Sequence, residues 1–455
     1  MDHTQPPIEL TGRAVAGTEH SWCRTVPGGT GITVLVLHLS RPIPHSRLVA
    51  AVTDLINSHP VLRSRLTRSI PNQPPFISIP PNSEPLLEIQ SPVPSFHSAL
   101  ELELNLNPWA DTPEPDEIPV FFATVYENQP DPGSSLLVLR FHTAVCDRTS
   151  AVAILKELMA LVGGGEGQSG NRESGVILGI EDLIPKKDSW KPFWARGKDL
   201  IGYSLNGLRT SALGFEDTDS ARYSEVVRLV VGREETSRIF SACKSRGMKL
   251  FAAITAAGLI ATVSSKHLEN NLSETYSVVT LVDCRKYLEP VLHEHNVGFY
   301  HSAIIHTHTV HEGEELWEVA KRCHDAFTNA MNNKKHLTDI GELNFLMCKA
   351  VENPHLTPSS SLRTAVISVF EEPVIYETSA AQKQLGVEDY IGCASVHGVG
   401  PSIAVFDTIR DGQLDCAFVY PSPLHSRTQV QDLVDHMKRI LVHASLADGE
   451  GGLDA

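Results

Sequence analysis

The stretch RFHTAVCDRTS, residues 140–150, crowds four chemistry-bearing side chains together: His142, Thr143, Asp147 and Arg148. An imidazole exchanges protons near neutral pH, and a guanidinium clamps anions with a fixed fork of donors. Thr143 supplies only a hydroxyl, which has no usable basicity near neutrality and cannot serve as a general base. His142 is not a simple substitute, because adjacent side chains of an extended chain point to opposite sides. Cys146 has no paired His in its surroundings and reads as a small buried apolar side chain. His306 and His308, as His-x-His on a strand, would share one face, but no third ligand is evident and no metal is expected. The glycines at 163–165 are followed by no Lys-Ser/Thr, so they form no phosphate loop.

The elements around this stretch are legible. SSLLVLRFH (134–142) reads as a strand running into it, and TSAVAILKELMALV (149–162) as a helix apolar on almost every face, hence buried. GITVLVLHLSRPI (31–43) is a β-branched strand pattern, followed by a helix carrying Leu48, Val52, Leu55 and Ile56 and ended by Pro60. IPVFFATVYE (118–127) is a further strand, joined to the next by a turn at NQPDPG. GGGEGQSGNRESG (163–175) is a linker, and 176–223 an extended crossover with amphipathic pieces. A second unit opens with a strand at 224–231 and two helices, the second being LFAAITAAGLIATV. It continues through strands near 276–283 and 298–310, a helix at about 313–332, and strands near 364–370, 390–396, 402–408 and 413–420. A C-terminal helix with Val430, Leu433, Val434, Met437, Ile440 and Leu441 on one face closes it. This pattern predicts an α+β protein of two pseudo-equivalent domains, 1–175 and 224–455, joined by 176–223, with a ligand cleft or tunnel between them.

Bulk composition narrows the function. The chain has 455 residues, too many for one ordinary core, and a formal net charge of −16 that opposes nucleic acids and anionic membranes. Its eight cysteines are scattered without a CxxC pair, as in a reducing compartment. No signal peptide, membrane span or targeting tail is evident, so a cytoplasmic protein, monomeric and acting on a small molecule, is expected.

Three segments carry a resemblance to the acyltransferase superfamily that includes chloramphenicol acetyltransferase, BAHD acyltransferases, alcohol acetyltransferases and nonribosomal-peptide condensation domains. GTEHSWCR followed by LVAAVTDLINSHPVLRSRL resembles their first strand and helix, with His59, Pro60, Leu62 and Arg63 as the closing signature. FHTAVCDRTS resembles the HHxxxDGxS motif, and VDCRKYLEPVLHEHNVGFY (282–300) the Asp-x-Arg block. The DFGWG motif of BAHD enzymes is absent; AVFDTIRDGQLDCAFVYP occupies its place.

The resemblance implies two chloramphenicol-acetyltransferase-like domains with a tunnel at their interface. It also implies transfer from acyl-CoA, as co-substrate, to an alcohol or amine in specialised metabolism, with no bound cofactor. His142 matches the motif's variable His, Thr143 the catalytic His, Asp147 the structural Asp with Arg285 as its partner, and Arg148 the Gly. Arg148 is a candidate clamp for a substrate anion. His301 starts a strand in the block that the superfamily places near the tunnel and His397 lies just before the region facing it, so both are candidate replacement bases. Ser368 matches a position that donates to the developing oxyanion. Two other readings stand beside acyl transfer: a tunnel repurposed for lyase, cyclisation or rearrangement chemistry, and a noncatalytic binding protein.

Overall fold

The computed structural model describes residues 11–67, 75–80, 86–110, 117–127, 133–164, 178–189, 191–266, 272–354 and 361–446. The expected linker at 163–175 and the turn at 128–133 fall mostly outside them, as do both ends of the chain.

The fold is α+β, built on two large sheets, with a smaller four-stranded sheet formed by Thr11–Ala14, Phe76–Ile79, Arg65–Thr67 and Glu117–Pro119 beside them. The first contains β1 (Thr30–Leu39), β2 (Leu87–Gln90), β3 (Phe121–Tyr126) and β4 (Ser135–His142). Every residue of β4 is buried, which explains its unbroken apolar run: both faces of the sheet are covered. Helices α1 (His45–Ser58) and α2 (Arg148–Val162) cover one face, packing Leu48, Val52 and Leu55 with Leu137, Leu139, Ile154 and Leu158. Helix α3 (Phe96–Asn105) lies over the other face. Strands this short need no alternation when buried on both sides, so periodicity alone did not separate their faces.

The second sheet contains β5 (Tyr223–Val231), β6 (Ser273–Asp283), β7 (His301–His311), β8 (Ile367–Phe370), β9 (Val374–Tyr376), β11 (Ile403–Arg410) and β12 (Gln413–Ser422). Its order is β7-β6-β8-β11-β12-β5, with β9 paired to β11. The β11–β12 hairpin turns on Asp411 and Gly412, at φ 49° and 80°, the pairing of positive angles that a tight hairpin turn demands. Helix α4 (Leu250–Ser265) is apolar all round and buried from Leu250 to Val263, between the sheet and α5 (Arg427–Leu446).

One strand departs from a clean division at 224. Strand β10 (Val387–Val396) leaves the second half and pairs antiparallel with β1, completing the first sheet in the order β10-β1-β4-β3-β2. A shared core backs this exchange, uniting Val34, Val36 and Val138 with Val226, Phe406 and Val419. The crossover expected to be extended holds a helix at Phe193–Arg209, and a helix at Ile340–Glu352 has no counterpart in the sequence reading. Its segment IGELNFLMCKAVE carries apolar residues without a sustained stripe, and Phe345 is exposed. Among the described residues no single helix is long and apolar enough to cross a membrane.

Candidate functional site

Strand β4 delivers the motif to the seam between the two halves. The chain leaves β4 through a single turn at Thr143–Val145, where the His142 ring closes the turn by accepting from the Ala144 N–H at 3.1 Å. His142 is buried edge-on against Trp109, and burial pushes its pKa down to about 3, so the ring is neutral. Thr143 is equally committed. Its hydroxyl donates to the Gly31 carbonyl at 2.6 Å and lies 2.8 Å from the Thr33 hydroxyl. Gly31 has φ +97°, and a Cβ there would sit 2.8 Å from the Trp22 ring, so the carbonyl that Thr143 uses rests on a required glycine.

Asp147 caps α2: its Oδ1 accepts from Ser150 N at 2.8 Å, which starts the helix. Its Oδ2 accepts from Tyr300 N at 2.8 Å. Arg285 Nη2 donates to Asp147 Oδ1 at 3.0 Å and to Ser150 Oγ at 2.8 Å, while Nη1 reaches Asp283 at 3.1 Å. Gly298 joins this seam closely: its carbonyl accepts from Asp147 N at 3.0 Å. A Cβ at Gly298 would meet the Tyr300 ring at 2.6 Å. Burial opposes the charge of Asp147, but Arg285 and His301 outweigh it and hold the carboxyl well below the usual range.

His301 completes the cluster. It opens β7, is 6% exposed, and places Nδ1 at 3.0 Å from Asp147 Oδ2, though not along a well-aligned hydrogen bond. Its Nε2 makes no hydrogen bond among the described residues. Aromatic rings surround it: Phe370 edge-on at 5.8 Å and Phe299 at 6.2 Å, with Trp22 beyond Phe299 at 5.4 Å. Ser368, buried on β8, is two residues from Phe370 and therefore on the same face of the strand.

Arg148 does not stand free for a substrate anion. Its Nη1 donates to Asp407 Oδ1 at 3.1 Å and its Nη2 to the Asp407 carbonyl, and the guanidinium lies over Phe370 at 4.2 Å. Asp407, on β11, is missing from the sequence reading; an acid inside the otherwise apolar run IAVF-D-TI was the available signal. Burial raises the pKa of Asp407 despite Arg148, and Oδ2 is buried without a partner.

The remaining candidates lie apart. The described contacts of His397 are a 3.0 Å approach to Ser224 and close packing on the Gly29 turn, and burial with the nearby Arg363 pushes its pKa down to about 4. His306 and His308 meet each other at 2.5 Å, and Thr280 takes up the second nitrogen of His306 at 3.2 Å. Among the described residues no cluster of three or more His, Cys, Asp or Glu is arranged to hold a metal. Burial, then Asp147, pushes the Cys146 thiol far up, which leaves it un-ionised and inert. The seam thus combines an imidazole beside a carboxylate with aromatic walls, an arrangement able to move one proton in an apolar enclosure. Ser368 pairs with Val279, four residues along β6 from the Asp283 that pairs with His301, and so lies apart.

No family model matches the chain, and no curated protein matches it in sequence. Solved structures do match its fold. The trichothecene 15-O-acetyltransferase of Fusarium sporotrichioides superposes with a TM-score of 0.75 at 13% identity, covering 97% of both chains. The first condensation domain of the calcium-dependent antibiotic synthetase gives 0.66 at 16%, covering 96% of this chain and 97% of that one. The epimerization domain from the third module of tyrocidine synthetase B gives 0.61 at 13%, covering 98% and 99%. The two-domain architecture is therefore the one these acyltransferase-like and condensation-like structures share.

Proposed function

With that fold as premise, we propose that the protein transfers an acyl group from acyl-CoA to the hydroxyl or amine of a small molecule, with His301 as the general base in place of Thr143. The observation that carries this reading is the 3.0 Å approach of His301 Nδ1 to Asp147 Oδ2 beside the motif. A carboxylate 3.0 Å from one ring nitrogen stabilises the imidazolium that forms when the other nitrogen takes a proton. Nε2 removes the acceptor's proton as its oxygen or nitrogen attacks the thioester carbonyl. The attack leaves a tetrahedral oxyanion at the former carbonyl carbon. Collapse breaks the C–S bond, and the CoA thiolate takes back the proton from His301.

Release of free CoA from a panel of acyl-CoA donors, measured with alcohol and amine acceptors, tests the reading. His301→Ala is expected to lower kcat by about 10²–10⁴-fold, the usual range for losing a positioned base, while circular dichroism stays native. Full activity in His301→Ala overturns the role of His301. Failure of the wild-type protein both to bind CoA and to release it from any donor overturns acyl transfer.

A further inference from the structure

Arg285 points inward to Asp147, but the next two residues of the same turn, Lys286 and Tyr287, face a separate recess. This recess has a volume of about 530 Å³, within the range of small-molecule pockets, and lies between residues 185–188, the 286–291 segment and residues 331–337. His336 belongs to its wall. The residue is 2% exposed, and both ring nitrogens are buried without any hydrogen-bond partner. Two unsatisfied nitrogens on one buried ring are costly, so this wall of the recess is under-satisfied. The ring rests on Tyr287, centroid to centroid at 4.6 Å, so two aromatic rings stand together in the wall.

The charges around the recess are uneven. Lys334 is occupied by an ion pair with Asp188. Lys286 lies over the Tyr287 ring at 5.0 Å, and among the described residues neither Lys286 nor Lys187 has a carboxylate partner. Glu289, on the rim, offsets part of this charge. Leu288, Val291 and Met331 supply apolar wall. Two ammonium groups without carboxylate partners on the wall of one recess suit an anion with several acceptor oxygens, and the aromatic and apolar wall suits an organic group attached to it.

We infer that this recess binds a phosphate-bearing small molecule, with Lys187 and Lys286 on the phosphate and His336 with Tyr287 against the attached group. The phosphate belongs either to the nucleotide end of a CoA donor or to a separate phosphorylated effector. The site stands on its own residues and does not require that His301 act as a base.

Isothermal titration of ADP, pyrophosphate and CoA into the full chain tests the site. ADP is expected to bind the wild type and to bind Lys187→Ala/Lys286→Ala about tenfold or more weakly, the change expected for losing two charge-assisted contacts. His336→Phe, which keeps an aromatic ring but no nitrogen, is expected to weaken ADP while urea unfolding reports whether the fold survives. Loss of CoA affinity in the double lysine variant assigns the site to the donor; unchanged CoA affinity with weakened ADP assigns it to a separate effector. Lack of ADP and pyrophosphate binding by the wild type, or binding unaffected by the double variant, overturns the inference. Because His301→Ala leaves this recess intact, its ADP affinity should equal that of the wild type even if acyl transfer proves wrong.

Discussion

Asp147 and Asp407 are both buried, both pair with one arginine from the opposite half, and yet are driven in opposite directions. Asp147 sits below the normal carboxylate range and Asp407 above it. The difference lies in the count of donors. Asp147 receives Ser150 N, Tyr300 N and Arg285, with His301 alongside; Asp407 receives Arg148 at one oxygen while the other has no partner. A counter-charge alone does not repay desolvation; a full shell of donors does. The motif's two adjacent residues thus form a crossed pair of links, 147 to 285 and 148 to 407, with unequal quality.

Arginine deletion is the sharpest way to break this comparison. Arg285→Ala strands an ionised buried carboxylate and should cost about 3–5 kcal/mol in urea unfolding. Arg148→Ala should cost less, about 1–3 kcal/mol, because Asp407 can take up a proton in place of its lost cation. Equal losses would refute the distinction. The pH dependence gives the next largest effect, with opposite signs at the two sites. The depressed Asp147 contributes stability above the ordinary carboxylate pKa that is lost as pH falls below it. The raised Asp407 contributes stability that is full below its unfolded pKa and is lost as pH rises through its folded one. Asp407→Asn, the neutral isostere of the protonated acid, should therefore change stability by no more than about 1 kcal/mol near pH 4 and gain on the wild type toward pH 7; unfolding curves at both values check this. The smallest effect is expected from Thr143→Ala, since the hydroxyl touches neither carboxylate. It should cost about 1 kcal/mol of stability through the lost bond to Gly31, and leave CoA-release activity within about tenfold of wild type. A larger loss of activity would return Thr143 to the chemistry.

Much of this arrangement was legible in the chain. Strand β4 and helix α2 follow from their apolar runs, and the Asp147–Arg285 pairing from the resemblance extending through Arg285. The commitments of Thr143 and Arg148 were not legible. They depend on Gly31 and Asp407, which lie 112 and 259 residues away and meet the motif only when both sheets are assembled. His301 was visible as a candidate, but its approach to Asp147 follows from the register in which β7 begins opposite Asp283. The crossover helix falls in the stretch read as carrying amphipathic pieces, whereas the helix at 340–352 has apolar residues on several faces and gave periodicity little to report.

Strand β10 carries a consequence for how the molecule is made. Until residue 396 has left the ribosome, β1 has no partner on its outer side, and its backbone N–H and C=O groups form an open template. The first sheet therefore finishes folding long after its own residues are synthesised. A fragment ending before β10 would carry a sticky, aggregation-prone border, whereas supplying the missing segment in trans as a peptide offers a natural point for splitting and reassembling the protein.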